Sequence, residues 1–125
     1  MGGRKTFASG IQVPFRWKMV GLFQGVKVLE GTGGLHKLPE EAHSSDAYVQ
    51  LFPDGNLQML RFYDKDHFLT AEIGFHPEPQ LTGHSRSVYH IHFYDRKFHR
   101  TDARLLTPVE IEKYEKYLTK KGCLK

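Results

Sequence analysis

Hydrophobic and polar residues alternate most regularly in SVYHIHFYD, residues 87–95, where Tyr89, Ile91 and Phe93 fall on one side of an extended segment and His90, His92 and Tyr94 on the other. A period of two marks a half-buried β-strand, and two imidazoles at that spacing point the same way, about 7 Å apart. Similar patterns lie upstream. Residues 47–52 (AYVQLF) read as a strand ending in the turn Pro53-Asp54-Gly55-Asn56, and residues 57–63 (LQMLRFY) as its return. After a second turn at Asp64-Lys65-Asp66-His67, residues 68–75 form a third strand, giving a meander. If Phe62 pairs with Leu69, then Leu60, Phe62, Leu69, Ala71 and Ile73 share an apolar face. The opposite face then carries Met59, Arg61, Tyr63, Thr70, Glu72 and His76.

The flanks are less periodic. Residues 17–29 (WKMVGLFQGVKVL) read as one or two short strands with Gly25 at a turn or bulge, and residues 30–45 as a loop with one helical turn at 39–43. Residues 76–86 (HPEPQLTGHSR) hold two prolines and a glycine and read as an exposed loop, while residues 96–106 form a basic connection. Near the C-terminus, Thr107 is an N-cap, Pro108 occupies the first helical position and Glu110 completes a capping box. The pattern predicts a helix to about Lys121, before Gly122, docking Ile111, Tyr114, Tyr117 and Leu118 on the apolar face. The expected fold is therefore α+β: a twisted antiparallel sheet of four to five strands with the C-terminal helix packed on one face. Residues 1–16, glycine-rich and basic, are expected to form a flexible arm ahead of a single domain over residues 17–125.

Composition narrows the function classes. No apolar run approaches the roughly 20 residues that span a bilayer, and the first 20 residues lack the apolar core of an export signal. The expectation is a protein without a membrane partner, cytoplasmic in a host cell or virion-associated. Cys123 is the single cysteine, so no intrachain disulfide exists. A net charge of +4 favours RNA or another anionic ligand, and the eight histidines concentrate between His67 and His99.

Two chemistries fit those histidines. Metal-independent RNA cleavage needs a base for the 2′-hydroxyl, an acid for the leaving oxygen and a cation for the phosphorane. His90 and His92 supply the acid and base, Glu72 or His76 orients them, and Arg61 faces the phosphate. Tyr63, His84, Arg86, Tyr94, Arg96, Lys97 and Arg100 are candidates for holding the substrate. The bland reading is that the histidines are polar-face residues of a half-exposed strand and the cations a solvated surface. The rival chemistry is a transition metal, zinc, held by His90, His92 and His76, with Glu72, His84 or His99 in reserve. Against it, the chain has no cysteine pair, no His-Glu-x-x-His helix and no glutamate shortly after His-x-His of the kind a cupin site carries. Gly31-Thr32-Gly33-Gly34 lacks the Lys-Ser/Thr of a phosphate loop, and Asp64-Lys65-Asp66 lacks the glycine and distal glutamate of a calcium loop.

Several short motifs occur in order along the chain. They are Gly2-Gly3-Arg4 followed by Ser9-Gly10, Phe62-Tyr63-Asp64, Glu72 ahead of His76-Pro77, the pair His90 and His92, and Leu106-Thr107 with Glu110. In these the chain resembles small domains of phages and integrated elements of Firmicutes, found in or beside head-morphogenesis proteins of the phage Mu minor-head type. It departs from them in having Tyr89 where a proline often precedes the first histidine, and in lacking a third consecutive histidine. The resemblance implies a toxin-like ribonuclease with its site on the open face of a sheet and an immunity or virion partner. The alternative it implies is a non-enzymatic accessory or structural module whose histidines bind a metal or a protein.

Overall fold

In a computed structural model of the chain, which describes residues 17–31, 38–40 and 46–125, one seven-stranded sheet dominates. Its strands are β1 (Trp17–Phe23), β2 (Val26–Gly31), β3 (Ala47–Leu51), β4 (Leu57–Tyr63), β5 (Leu69–Pro77), β6 (Ser87–Phe93) and β7 (Arg104–Leu105). They lie side by side in chain order, every pair antiparallel except β2 and β3, which run parallel. Among the described residues, helix is confined to α1 (Pro79–Thr82), α2 (Pro108–Lys113) and two short 3-10 turns at Glu115–Tyr117 and Lys121–Cys123.

This corrects the expected α+β fold of four to five antiparallel strands beneath a long terminal helix. Residues 17–29 make a full hairpin, β1 and β2, turned at Gln24 and Gly25, both at positive φ. The parallel pairing adds a crossover that alternation cannot reveal, and the basic connection contributes β7, which pairs with β6. The terminal helix keeps its start: Thr107 Oγ1 accepts the Glu110 N–H, and Glu110 Oε1 accepts the Thr107 N–H. It stops at Lys113 because other contacts compete for the chain that follows. Leu118 is fully buried in the core, Thr119 donates its hydroxyl proton to Asn56 Oδ1, and the Lys120 N–H donates to the Tyr89 hydroxyl. One short α-helix and two 3-10 turns thus cover the sheet where a single continuous helix was expected. Of the other expectations, the arm at 1–16 and most of the loop at 30–45 lie outside the described residues, while residues 30 and 31 of that loop belong instead to β2. The loop at 76–86 contains the single turn α1.

The main core lies on one face of the sheet, where Val28, Val49, Leu60, Ile73, Phe75, Tyr89 and Ile91 meet Leu106 and Leu118 of the terminal segment. A smaller cluster of Leu38, Tyr48, Tyr63 and Leu69 occupies the opposite face. Leu69 joins the second cluster because of a bulge. Phe62 pairs with Ala71 but Tyr63 pairs with Leu69, leaving Thr70 as the extra residue and reversing the side to which Leu69 belongs. The expected pairing of Phe62 with Leu69 is displaced by two residues, since Phe62 pairs with Ala71, and a shift of two keeps side chains on their faces. Beyond the bulge the assignment of faces is as expected, and Arg61 faces Glu72 across β4 and β5. No helix among the described residues is long and apolar enough to cross a membrane.

Candidate metal centre

Strand β6 is paired on both sides, with β5 and β7, so its polar-face histidines sit well inside the sheet. His90 is completely enclosed and His92 nearly so. Opposite His90 stands Gly74, and a Cβ there would lie 2.9 Å from His90 Nε2. The glycine is therefore what lets the imidazole lie flat across β5.

The hydrogen bonding of His90 fixes its tautomer. Its Nδ1 lies 3.1 Å from the Val88 carbonyl oxygen, which can only accept, so Nδ1 carries the proton and Nε2 presents a lone pair. That Nε2 is buried without a hydrogen-bond partner among the described residues. Glu78 Oε2 stands 3.8 Å from it, so a lone pair faces a carboxylate. A proton on Nε2 would reconcile the two, yet burial pulls the His90 pKa below the ordinary histidine value. The Val88 carbonyl and Glu78 oppose that shift without cancelling it, and His76 and His92 add to it.

His76, near the end of β5, completes the group. Its Nδ1 stands 3.2 Å from Glu78 Oε2 and 3.0 Å from the Pro77 carbonyl, and its ring centroid is 4.2 Å from that of His90. One ligand atom each from His76, Glu78 and His90 lies within 4.8 Å of the other two. Ligands held at roughly 2.0–2.2 Å from a zinc ion in a tetrahedron stand about 3.3–3.6 Å apart, so small side-chain shifts bring the three into range. Binding through His76 Nδ1 requires that ring to carry its proton on Nε2 instead.

The remaining residues expected at the site divide into two groups. Arg61 and Glu72 form a buried ion pair, Nε to Oε1 at 2.7 Å, and Arg61 also donates to the carbonyls of Leu38 at 2.6 Å and Pro39 at 3.3 Å. Burial alone would lower the Arg61 pKa, but the adjacent Glu72 raises it above its ordinary value. Tyr63 donates its hydroxyl proton to the Pro39 carbonyl and Tyr94 donates to Glu72 Oε1 at 3.3 Å. Burial pushes both phenols up, that of Tyr63 strongly. Arg61 and Tyr63 thus fasten residues 38 and 39 to the sheet, and Arg61 directs its Nε and Nη1 donors to protein acceptors.

His92 borders a hollow of about 660 Å³ with His76, Glu78, Arg100 and Asp102. Its Nδ1 donates to the Thr101 carbonyl at 2.8 Å, which leaves the Nε2 lone pair as the acceptor. It does not belong to the His76, Glu78 and His90 group. Arg100 is the one expected substrate-holding residue that reaches this hollow. Arg96 is bound instead to Asp64 and Asp66 in a neighbouring turn, and Lys97 is exposed in the turn after Asp95. His84 Nδ1 accepts the Arg86 N–H at 3.2 Å, in the loop ahead of β6.

Glu78 is the residue that reading the sequence missed. Its place two positions after His76 in His-Pro-Glu-Pro was visible, but two prolines marked the segment only as a loop. Comparison with protein-family models, with curated proteins and with solved structures gives no match. The likeness to minor-head-associated phage domains, and the toxin-like character and immunity or virion partner it implies, accordingly rest on the quoted motifs alone.

Proposed function

We propose that the chain is a metal-binding module, holding one zinc-type ion between His76, Glu78 and His90. The observation that carries this reading is the buried Nε2 of His90, a lone pair with no hydrogen-bond partner among the described residues, facing the Glu78 carboxylate. Buried polar atoms are almost always satisfied, and leaving one unsatisfied costs about 1–3 kcal/mol. A divalent cation between the two acceptors removes that cost and the repulsion together. Two imidazoles and a carboxylate, with no thiolate, form a donor set of the kind that holds catalytic zinc. The metal-independent alternative needs His90 to exchange protons with a substrate and Arg61 to hold a phosphate. Complete enclosure of the first and burial of the second in an ion pair with Glu72 weigh against it.

The test is calorimetric titration of chelator-treated full-length chain with zinc, backed by the visible spectrum of the cobalt-substituted protein. One ion per chain is expected, with tetrahedral cobalt absorption. His90→Ala, His76→Ala and Glu78→Gln should each weaken binding at least about tenfold. A chain that takes up no zinc, or takes it up equally well with all three residues replaced, overturns the proposal.

A further inference from the structure

We infer that the ion held by His76, Glu78 and His90 is hydrolytic, and that its substrate is a phosphodiester anion; this rests on the metal-binding reading above. Three protein ligands of the His, His, Glu kind leave a coordination position for water or substrate, whereas structural zinc sites are closed by four protein ligands. The geometry says where that position opens. His90 is fully buried behind the site, while His76 and Glu78 both border the hollow of about 660 Å³, so an ion between them fronts that space.

Two further side chains in the hollow match the demands of hydrolysis. His92 is held by its Nδ1 proton on the Thr101 carbonyl, which orients the ring and leaves Nε2 as a proton acceptor beside the site. Arg100 lines the same hollow, its guanidinium beside the Tyr94 hydroxyl and suited to a phosphate oxygen, and Asp102 is the one acidic residue there besides Glu78 among the described residues. The net charge of +4 favours an anionic substrate at longer range.

The ion would act as a Lewis acid that neutralises phosphoryl charge and acidifies a nearby water. His92 Nε2 takes a proton from that water as its oxygen bonds to phosphorus. The P–O bond to one ester group breaks, and the departing oxygen takes the proton back from His92. One water is consumed, and an alcohol and a phosphomonoester are formed. Arg100 holds a non-bridging oxygen throughout.

The experiment uses the full chain with one equivalent of zinc and bis(4-nitrophenyl) phosphate as probe, following release of 4-nitrophenolate. Metal content and zinc affinity are measured on every variant. Hydrolysis by the parent is expected. His92→Gln should lower kcat at least about 100-fold at unchanged zinc content. Arg100→Ala, at an exposed position, should act mainly by raising KM about tenfold. A chain that holds one zinc and does not hydrolyse the probe overturns this inference while the metal reading stands. Hydrolysis that survives both substitutions at parental rate also overturns it. A chain that binds no zinc removes the metal reading, and this inference with it.

Discussion

Replacing Arg61 by methionine tests whether the residue serves the fold or a phosphate. The guanidinium stands 2.7 Å from Glu72 with both side chains over nine-tenths buried, and it donates to two carbonyls of residues 38–40. In Arg61→Met the Glu72 carboxylate keeps the Tyr94 hydroxyl at 3.3 Å and loses its only ion-pair partner among the described residues. The Leu38 carbonyl loses its donor, whereas the Pro39 carbonyl retains that of Tyr63. Breaking one side of a buried pair costs about 3–5 kcal/mol, most of it from the stranded charge. For a domain of this size each kcal/mol lowers Tm by about 4 °C, so a fall of about 12–20 °C is expected.

The double replacement, Arg61→Met with Glu72→Leu, removes the stranded charge. It should recover most of that loss and leave a deficit of about 1–2 kcal/mol for the Leu38 carbonyl. Urea and thermal unfolding followed by far-ultraviolet circular dichroism give both figures. Zinc affinity should survive in the double variant, because neither residue belongs to the His76, Glu78 and His90 group. Two results would refute the reasoning: a loss below about 1 kcal/mol in the single variant, or costs that add in the double variant instead of offsetting.

Two further expectations follow from single residues. Gly74→Ala places a Cβ 2.9 Å from His90 Nε2 and 3.2 Å from Cε1, so the ring must turn away. Zinc affinity should drop at least about tenfold with an overpacking cost of about 1–3 kcal/mol, and unchanged calorimetric affinity would contradict the placement of His90. Glu110 has its pKa lowered from 4.5 to about 2, chiefly by the two bonds from Arg104 at 2.8 Å. Its contribution is complete above pH 4.5 and is lost as pH falls from there towards 2. Arg104 is half exposed, so solvent screening reduces the contribution to about 1 kcal/mol. Glu110→Gln can retain the capping geometry while flattening that acid limb of stability against pH, and an unaltered limb would assign the acid sensitivity elsewhere.

Local pattern determined a good deal. Alternation placed β3 to β6 and the face carrying Arg61, Glu72, His76, His90 and His92, because side-chain direction in a strand depends only on residue parity. The capping box at Thr107 and Glu110 was likewise legible, since both partners lie within one helical turn.

What parity could not supply was depth and pairing. The bulge at Thr70 moved Leu69 to the other face, and β7 enclosed β6 by pairing with its free edge. The parallel joining of β2 to β3 joined the first hairpin to the sheet. Contacts to Asn56 and Tyr89 drew residues 118–120 away from a helix that local spacing favoured. Those same long-range pairings separated the ionisable residues. Arg61 and Glu72 were drawn into a structural pair, and His90 was buried against Glu78, a loop residue with no periodic signal. Side-chain direction is written residue by residue along the chain. Burial and partnership depend on which distant segments arrive alongside, and only the folded sheet decides that.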